Sequence, residues 1–389
     1  MRYLVFMSLG LLFSIGVQAV PIDREPSNAR ATAEVKALYK NLGDLQGTAF
    51  LFGHQDSLAY GFDWEKLPDM SDVKASSGSY PALYGWDLGR IELGEPENVD
   101  GVSFDLIRDS IKAGFSRGGV ITISWHITNP VTGGSHSDNK TQAVHDIIPG
   151  GKLHPQFIAS LDKLIAFNEQ LKIKNTDGKE VWIPIIFRPW HEHNGEWFWW
   201  GKGNTTEENY IKLWRFTVNY LRKNNQHNLL FAYSPDRSRI DMENFTRDYM
   251  WGYPGDKYVD VIGMDDYWDL GHEANKAPTA EQLSIFIKSL EQLVIIADAK
   301  NKLAALTEGG NEAFTIKNFY TQHLLKGMLA TEKTRRIAYA MVWRNATDGG
   351  YNKKHFYVPY KNHPEAADFT QFKQNDAVLF EDELPKLYE

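Results

Sequence analysis

Apolar residues along this chain fall into short runs bounded by Gly, Pro or polar clusters, and eight of them predict strands, at 49–54, 82–88, 120–125, 182–187, 229–233, 259–264, 303–306 and 337–343. Between several of these the apolar period lengthens to that of a helix. Phe104, Ile107, Ile111 and Phe115 follow the second run, Phe157, Ile158, Leu161, Leu164, Ile165 and Leu171 the third, and Leu283, Ile287, Leu290 and Val294 the sixth. Thr205 with Glu208, ahead of the 210–221 pattern, and Thr279 with Gln282 both read as capping boxes. Strands buried on both faces and alternating with amphipathic helices predict an α/β fold, a (β/α)8 TIM barrel in one catalytic domain, with an open doubly wound sheet as the alternative. The Val35, Leu38, Tyr39 and Leu42 helix precedes the first strand and is expected to close the barrel's bottom.

Composition narrows the class. Arg2, an apolar stretch over 4–17 and then Val17-Gln18-Ala19 predict a signal peptide at 1–19 and a mature domain over 20–389. With no cysteine the chain has no disulfide, no thiol nucleophile and no residue for lipid anchoring, so the expected location is the periplasm or the medium. A formal charge of -8 with scattered Lys and Arg argues against nucleic acid or a membrane as partner. Nothing calls for a cofactor, and a monomer is the default.

Arg188-Pro189-Trp190-His191-Glu192-His193-Asn194-Gly195-Glu196-Trp197-Phe198-Trp199-Trp200-Gly201 surrounds a glutamate with aromatic rings after the fourth strand. Thr307-Glu308-Gly309-Gly310 follows the seventh. A closed barrel brings both glutamates to one mouth, and cleaving a glycosidic bond takes two carboxyl groups, one giving a proton to the leaving oxygen and one attacking or activating water. Trp190, Trp197, Phe198, Trp199 and Trp200 suit the apolar face of a sugar, and at least two are expected to line its site. The loop at 129–154, with Gly133-Gly134-Ser135-His136 and Pro149-Gly150-Gly151, is expected to wall the cleft.

The fourth-strand segment, the seventh-strand Thr-Glu-Gly-Gly and Ser124-Trp125-His126 together resemble glycoside hydrolase family 26, the group best known for β-mannanases. The resemblance implies a retaining hydrolase of β-mannan polysaccharide or manno-oligosaccharides, with Glu192 as acid/base and Glu308 as nucleophile. It also implies sugar contacts at His191, Trp343, Trp125 and His126, and a tyrosine near the nucleophile at Tyr267. Charge then asks for donors on Glu308, for which Tyr267 and Arg188 are the candidates, and for carboxyl oxygens about 5 to 5.5 Å apart. Three rivals remain: action on xylan or mixed-linkage glucan, a glycan-binding protein without catalysis, and a metal hydrolase using His191, His193, His54, His126, Asp265 and Asp266.

Overall fold

The computed structural model describes residues 24–175, 177–346 and 355–389. The predicted signal peptide at 1–19 lies outside them. Eight parallel strands close on themselves: β1 Phe50–Gln55, β2 Leu83–Asp87, β3 Val120–Ser124, β4 Ile185–Arg188, β5 Leu229–Tyr233, β6 Val261–Asp266, β7 Leu303–Gly309 and β8 Ile337–Val342. Closure comes from β1 pairing with β8, Leu51 opposite Tyr339 through His54 opposite Val342. The expected barrel therefore forms, as one domain.

Each strand splits its residues between two apolar layers, because successive side chains point to opposite faces. Leu51, Leu83, Ile186, Leu230, Val261, Leu303, Ala305 and Met341 fill the interior, while Trp86, Ile123, Phe187, Phe231, Met264 and Leu306 face the surrounding helices. Full burial of each large side chain contributes roughly 1.5–3 kcal/mol. Helix α1, Ala33–Leu45, begins where Thr32 Oγ1 accepts from Val35 N, and its Val35, Leu38, Tyr39 and Leu42 join the interior layer. Tyr39 Oη donates to Asp260 O at 2.9 Å, just ahead of β6, so α1 closes the barrel's lower end.

The four longest outer helices are α2 Phe104–Ser116, α3 His154–Asn168, α4 Glu207–Lys223 and α5 Thr279–Ala299. Two predicted caps shift by one residue. Thr206, not Thr205, caps α4 by accepting from Asn209 N, and α5 starts at Thr279 itself after Pro278, with Gln282 donating back to Ala277 O. The fourth run also divides: Glu180–Trp182 pairs with Lys172–Lys174 in a separate antiparallel hairpin, and the barrel strand starts only at Ile185. Trp182 there lies beneath the Lys172 ammonium instead of in the barrel wall.

Candidate active site

Glu192 sits one turn beyond β4 in a backbone that bends sharply. Trp190 and Glu192 both have positive φ, 54° and 51°, which costs a residue with a Cβ of order 1–3 kcal/mol. Hydrogen bonds hold the bend. Glu192 N donates to Ser234 O, Gly195 N to Glu192 O, Tyr210 Oη to Trp190 O and Trp200 Nε1 to His191 O. Asn194 and Asp236 add a reciprocal pair, Nδ2 to Asp236 O at 2.7 Å and Asp236 N to Oδ1 at 2.8 Å. The segment after β4 is thus fastened to the one after β5.

Glu308 reaches the same mouth because β7 carries a bulge. Met264 pairs with Leu306 but Asp265 with Glu308, so Thr307 is the extra residue, and both it and Glu308 turn inward. Thr307 Oγ1 donates to Asp265 Oδ1 at 2.7 Å. Arg188 Nη1 donates to Asp265 Oδ2 at 2.6 Å while its Nη2 pairs with Glu308 Oε2. Tyr267 Oη donates to Glu308 Oε1 at 2.7 Å. Single oxygens of Glu192, Asp265 and Glu308 lie within 4.8 Å of one another.

The two glutamates sit in different surroundings. Burial, then the charges of Asp236, Glu308 and Asp265, push the Glu192 carboxyl well above the usual carboxylate range, although Trp197 Nε1 donates to its Oε2 at 2.7 Å. Glu308 instead faces a guanidinium and a phenol. Burial and the neighbouring Glu308 raise the Tyr267 hydroxyl well above its ordinary value, so it keeps the hydrogen it donates. Burial works against the charge on Arg188, but Asp265 and Glu308 outweigh it and hold the guanidinium protonated.

Around this pair the other expected residues divide. Trp197, Tyr267 and Trp343 are half-buried and border the mouth, Trp343 with its ring 6.4 Å from that of His126. His126, 9 % exposed, and His191, 1 % exposed, meet Nε2 to Nε2 at 3.1 Å. Arg188, also 1 % exposed, has no surface for a sugar and acts through Glu308, as a donor. Trp125 is corrected outright: it is 0 % exposed, its Nε1 donates to Glu92 Oε2, and its ring lies against Trp190 in the outer layer. Trp190, Trp199 and Trp200 are core as well, their indoles tied to Thr217 Oγ1, Ile127 O and His191 O. Of the five rings in the fourth-strand segment, Trp197 is the one left half-buried, and Phe198 is buried between Trp200 and the histidines.

The loop at 129–154 carries a short helix, Ala143–Ile147, and leans on the site: Trp199 N donates to His136 O and Asn139 Nδ2 to Glu196 O. Asp87, Asn194 and Asp236 are site residues that sequence reasoning passed over, and Asp265 entered it only as a metal ligand. Asp87 and Asp265 end buried strands just as Glu308 does, the signal by which both were findable.

The histidine set does not converge on a metal. His193 points away from His191, stacking on Tyr210 and bonding Tyr233 Oη at 2.8 Å on the helix side. Among the described residues the one cluster spaced for a cation is Glu192, Asp265 and Glu308, and the Arg188 guanidinium already occupies two of its three carboxylates. A second cation there meets that fixed positive charge.

A (β/α)8 barrel with two facing carboxyl groups at the ends of its fourth and seventh strands defines a glycoside hydrolase. Sequence comparison narrows this: the chain belongs to glycosyl hydrolase family 26, whose model matches residues 27–351. A mannan endo-1,4-β-mannosidase from Bifidobacterium adolescentis is 33% identical over 368 residues, covering 91% of this chain but 35% of that longer protein. One from Bacillus subtilis is 27% identical over 90% of this chain and 91% of its own. Among solved structures, a GH26 β-mannanase from Bacteroides ovatus superposes with a TM-score of 0.82 at 37% identity, covering 92% of this chain and 98% of that one.

Proposed function

We propose that this chain is a retaining glycoside hydrolase cleaving β-1,4-mannosidic linkages in mannans or manno-oligosaccharides, with Glu192 as acid/base and Glu308 as nucleophile. The observation that carries the reading is the pair itself: two carboxyl groups face each other with one oxygen of each within 4.8 Å, on the close side of a scale where about 5–5.5 Å between carboxyl groups marks retention and about 6.5–9.5 Å inversion. Glu308, oriented by Arg188 and Tyr267, attacks the anomeric carbon while Glu192 gives its proton to the departing oxygen. The Glu308–sugar ester that forms carries no charge, so the electrostatic support for a protonated Glu192 weakens. Glu192 then takes a proton from water, whose oxygen attacks the same carbon, and the sugar leaves with its configuration retained.

The activities of these relatives support mannan as the substrate class. The test is the time course of products from unbranched β-1,4-mannan for wild type and Glu308→Gln together. Mixed oligosaccharides from wild type alone establish endo cleavage; mannobiose alone from the start establishes a cleft closed at one end. No product from mannan, with product from xylan or mixed-linkage glucan, overturns the substrate; turnover by Glu308→Gln equal to wild type overturns the nucleophile. Binding without turnover on every glycan leaves the glycan-binding reading. Export through the 1–19 leader belongs to the same reading, and N-terminal sequencing of the protein from periplasm and medium tests it.

A further inference from the structure

A chain of buried polar groups runs across the mouth from β2 to the residue beside Glu192. Asp87 ends β2 with 0 % exposure, and its carboxylate collects donors from every side: Gly89 N at 2.7 Å, Ser124 Oγ at 2.8 Å, His126 N at 3.2 Å and His126 Nδ1 at 2.8 Å. His126, just past β3, points its other nitrogen at His191 Nε2, 3.1 Å away. His191 directly precedes Glu192. Three strand ends are thereby joined, with a negative charge at the far end of the chain.

Two imidazole nitrogens 3.1 Å apart share one hydrogen, and which ring supplies it decides the form of both. If His126 is neutral, Asp87 claims its only hydrogen at Nδ1, and His191 must donate from Nε2. If His126 is doubly protonated, it donates to His191, whose own hydrogen then sits on Nδ1. The surroundings favour the second arrangement. Burial opposes a charge on His126, but the carboxylates of Asp87, Glu308 and Asp100 outweigh it and raise the ring's proton affinity. Asp87 is held down to about 2: burial opposes this, and the charge and hydrogen bond of His126 outweigh burial. His191 is buried next to Arg188 and His126, both positive, which drives it well below the ordinary histidine value and keeps it neutral. His191 Nδ1 meets no partner among the described residues.

We propose that Asp87 is a positioning residue which, through a doubly protonated His126, fixes His191 beside the acid as the neutral Nδ1–H tautomer. The same logic governs an Asp–His pair that sets the tautomer of a catalytic ring elsewhere, where replacing the carboxylate leaves the geometry but misplaces the hydrogen. Asp87 touches no reacting atom; it decides whether the ring next to Glu192 offers a hydrogen or a lone pair on its Nδ1 side. The inference rests on the hydrolase reading only for its kinetic consequence, since ring protonation is measured without substrate.

The experiment is 15N NMR of the ring nitrogens of the wild-type protein at neutral pH, with signals assigned through His126→Gln and His191→Gln. The expected spectrum has both His126 nitrogens protonated and His191 protonated at Nδ1 alone. A neutral His126, or a hydrogen on His191 Nε2, overturns the proposal, and this arm needs no variant at Asp87 to fold. Asp87→Asn, checked by its thermal melt, is expected to make His126 neutral and move the His191 hydrogen to Nε2. It is also expected to lower kcat about tenfold or more with KM changed less than about threefold. A folded Asp87→Asn with wild-type ring signals and wild-type kcat overturns it too. Ring signals as expected with no glycan turnover by wild type would sink the hydrolase reading and leave the proton arrangement standing.

Discussion

Glu192 concentrates the chemistry in one residue, and the environment that makes it an acid also costs stability. Its carboxyl is raised by burial and by Asp236, Glu308 and Asp265, so between the unfolded and folded values the native state holds a proton that the unfolded chain has lost. Stability from this group is therefore full at low pH and declines as pH rises through that window. Glu192→Gln carries no charge to bury. It is expected to melt on the order of a few degrees above wild type at pH 8, the gap closing below about pH 4, where the unfolded glutamate is protonated too. Differential scanning calorimetry across that range checks the sign; a lower melting temperature at pH 8 refutes it. Activity follows the same proton in the same direction: kcat/KM is expected to fall as pH rises past the Glu192 value, because the acid must be protonated. At the neighbouring nucleophile, Glu308→Gln is expected to lose turnover by several orders of magnitude while oligosaccharide affinity, read by calorimetry, changes little.

Elements place these residues, and here the sequence was legible in part. The apolar runs located all eight strands, because burial on both faces writes a continuous apolar signal, and a glutamate ending such a run stands out. The β7 bulge leaves no such mark. Counting alternate residues from Leu306 puts Glu308 on the helix side, and only the skipped pairing at Thr307 turns it inward. The aromatic segment misled for a related reason: Trp199 and Trp200 look like a sugar platform in one dimension, yet the bend at Trp190 and Glu192 folds them back into the outer core. Asn194 is the element-scale test. Asn194→Ala removes both bonds to Asp236 and loosens the segment after β4 against the one after β5, while Glu192 N still donates to Ser234 O. The loss is expected to cost about 1–3 kcal/mol in urea unfolding and to lower kcat more than it raises KM, since Glu192 is misplaced and not removed. Thr206→Ala, which deletes the α4 cap and none of the bonds that hold the Glu192 bend, serves as the contrast: about 1 kcal/mol less stable, with unchanged kcat. An equal kcat loss in both variants would mean that the Asn194 effect is general loosening.

At the scale of the whole barrel, Arg188 is the residue where fold and chemistry are the same object. From β4 it reaches Ser234 after β5, Asp265 on β6 and Glu308 on β7, so one guanidinium ties together four successive staves at the end where the barrel opens. Desolvation makes such a cation tolerable only with its carboxylates and those carboxylates only with it. Removing the cation alone, as in Arg188→Met, strands Asp265 and Glu308 in the interior and is expected to cost about 3–5 kcal/mol, measured by denaturant unfolding. Removing the buried partner as well separates stability from function. Arg188→Met with Asp265→Leu leaves Glu308 bonded to Tyr267, and buried ion pairs replaced by apolar residues of like size are often no less stable than the original. The double variant is therefore expected to regain most of the lost stability, yet to remain inactive on mannan, because the nucleophile has lost the charged one of the two donors that orient it. Recovery of both would mean that Arg188 serves the fold alone; recovery of neither would mean that the four-strand junction depends on the charges themselves and not on the volume they fill.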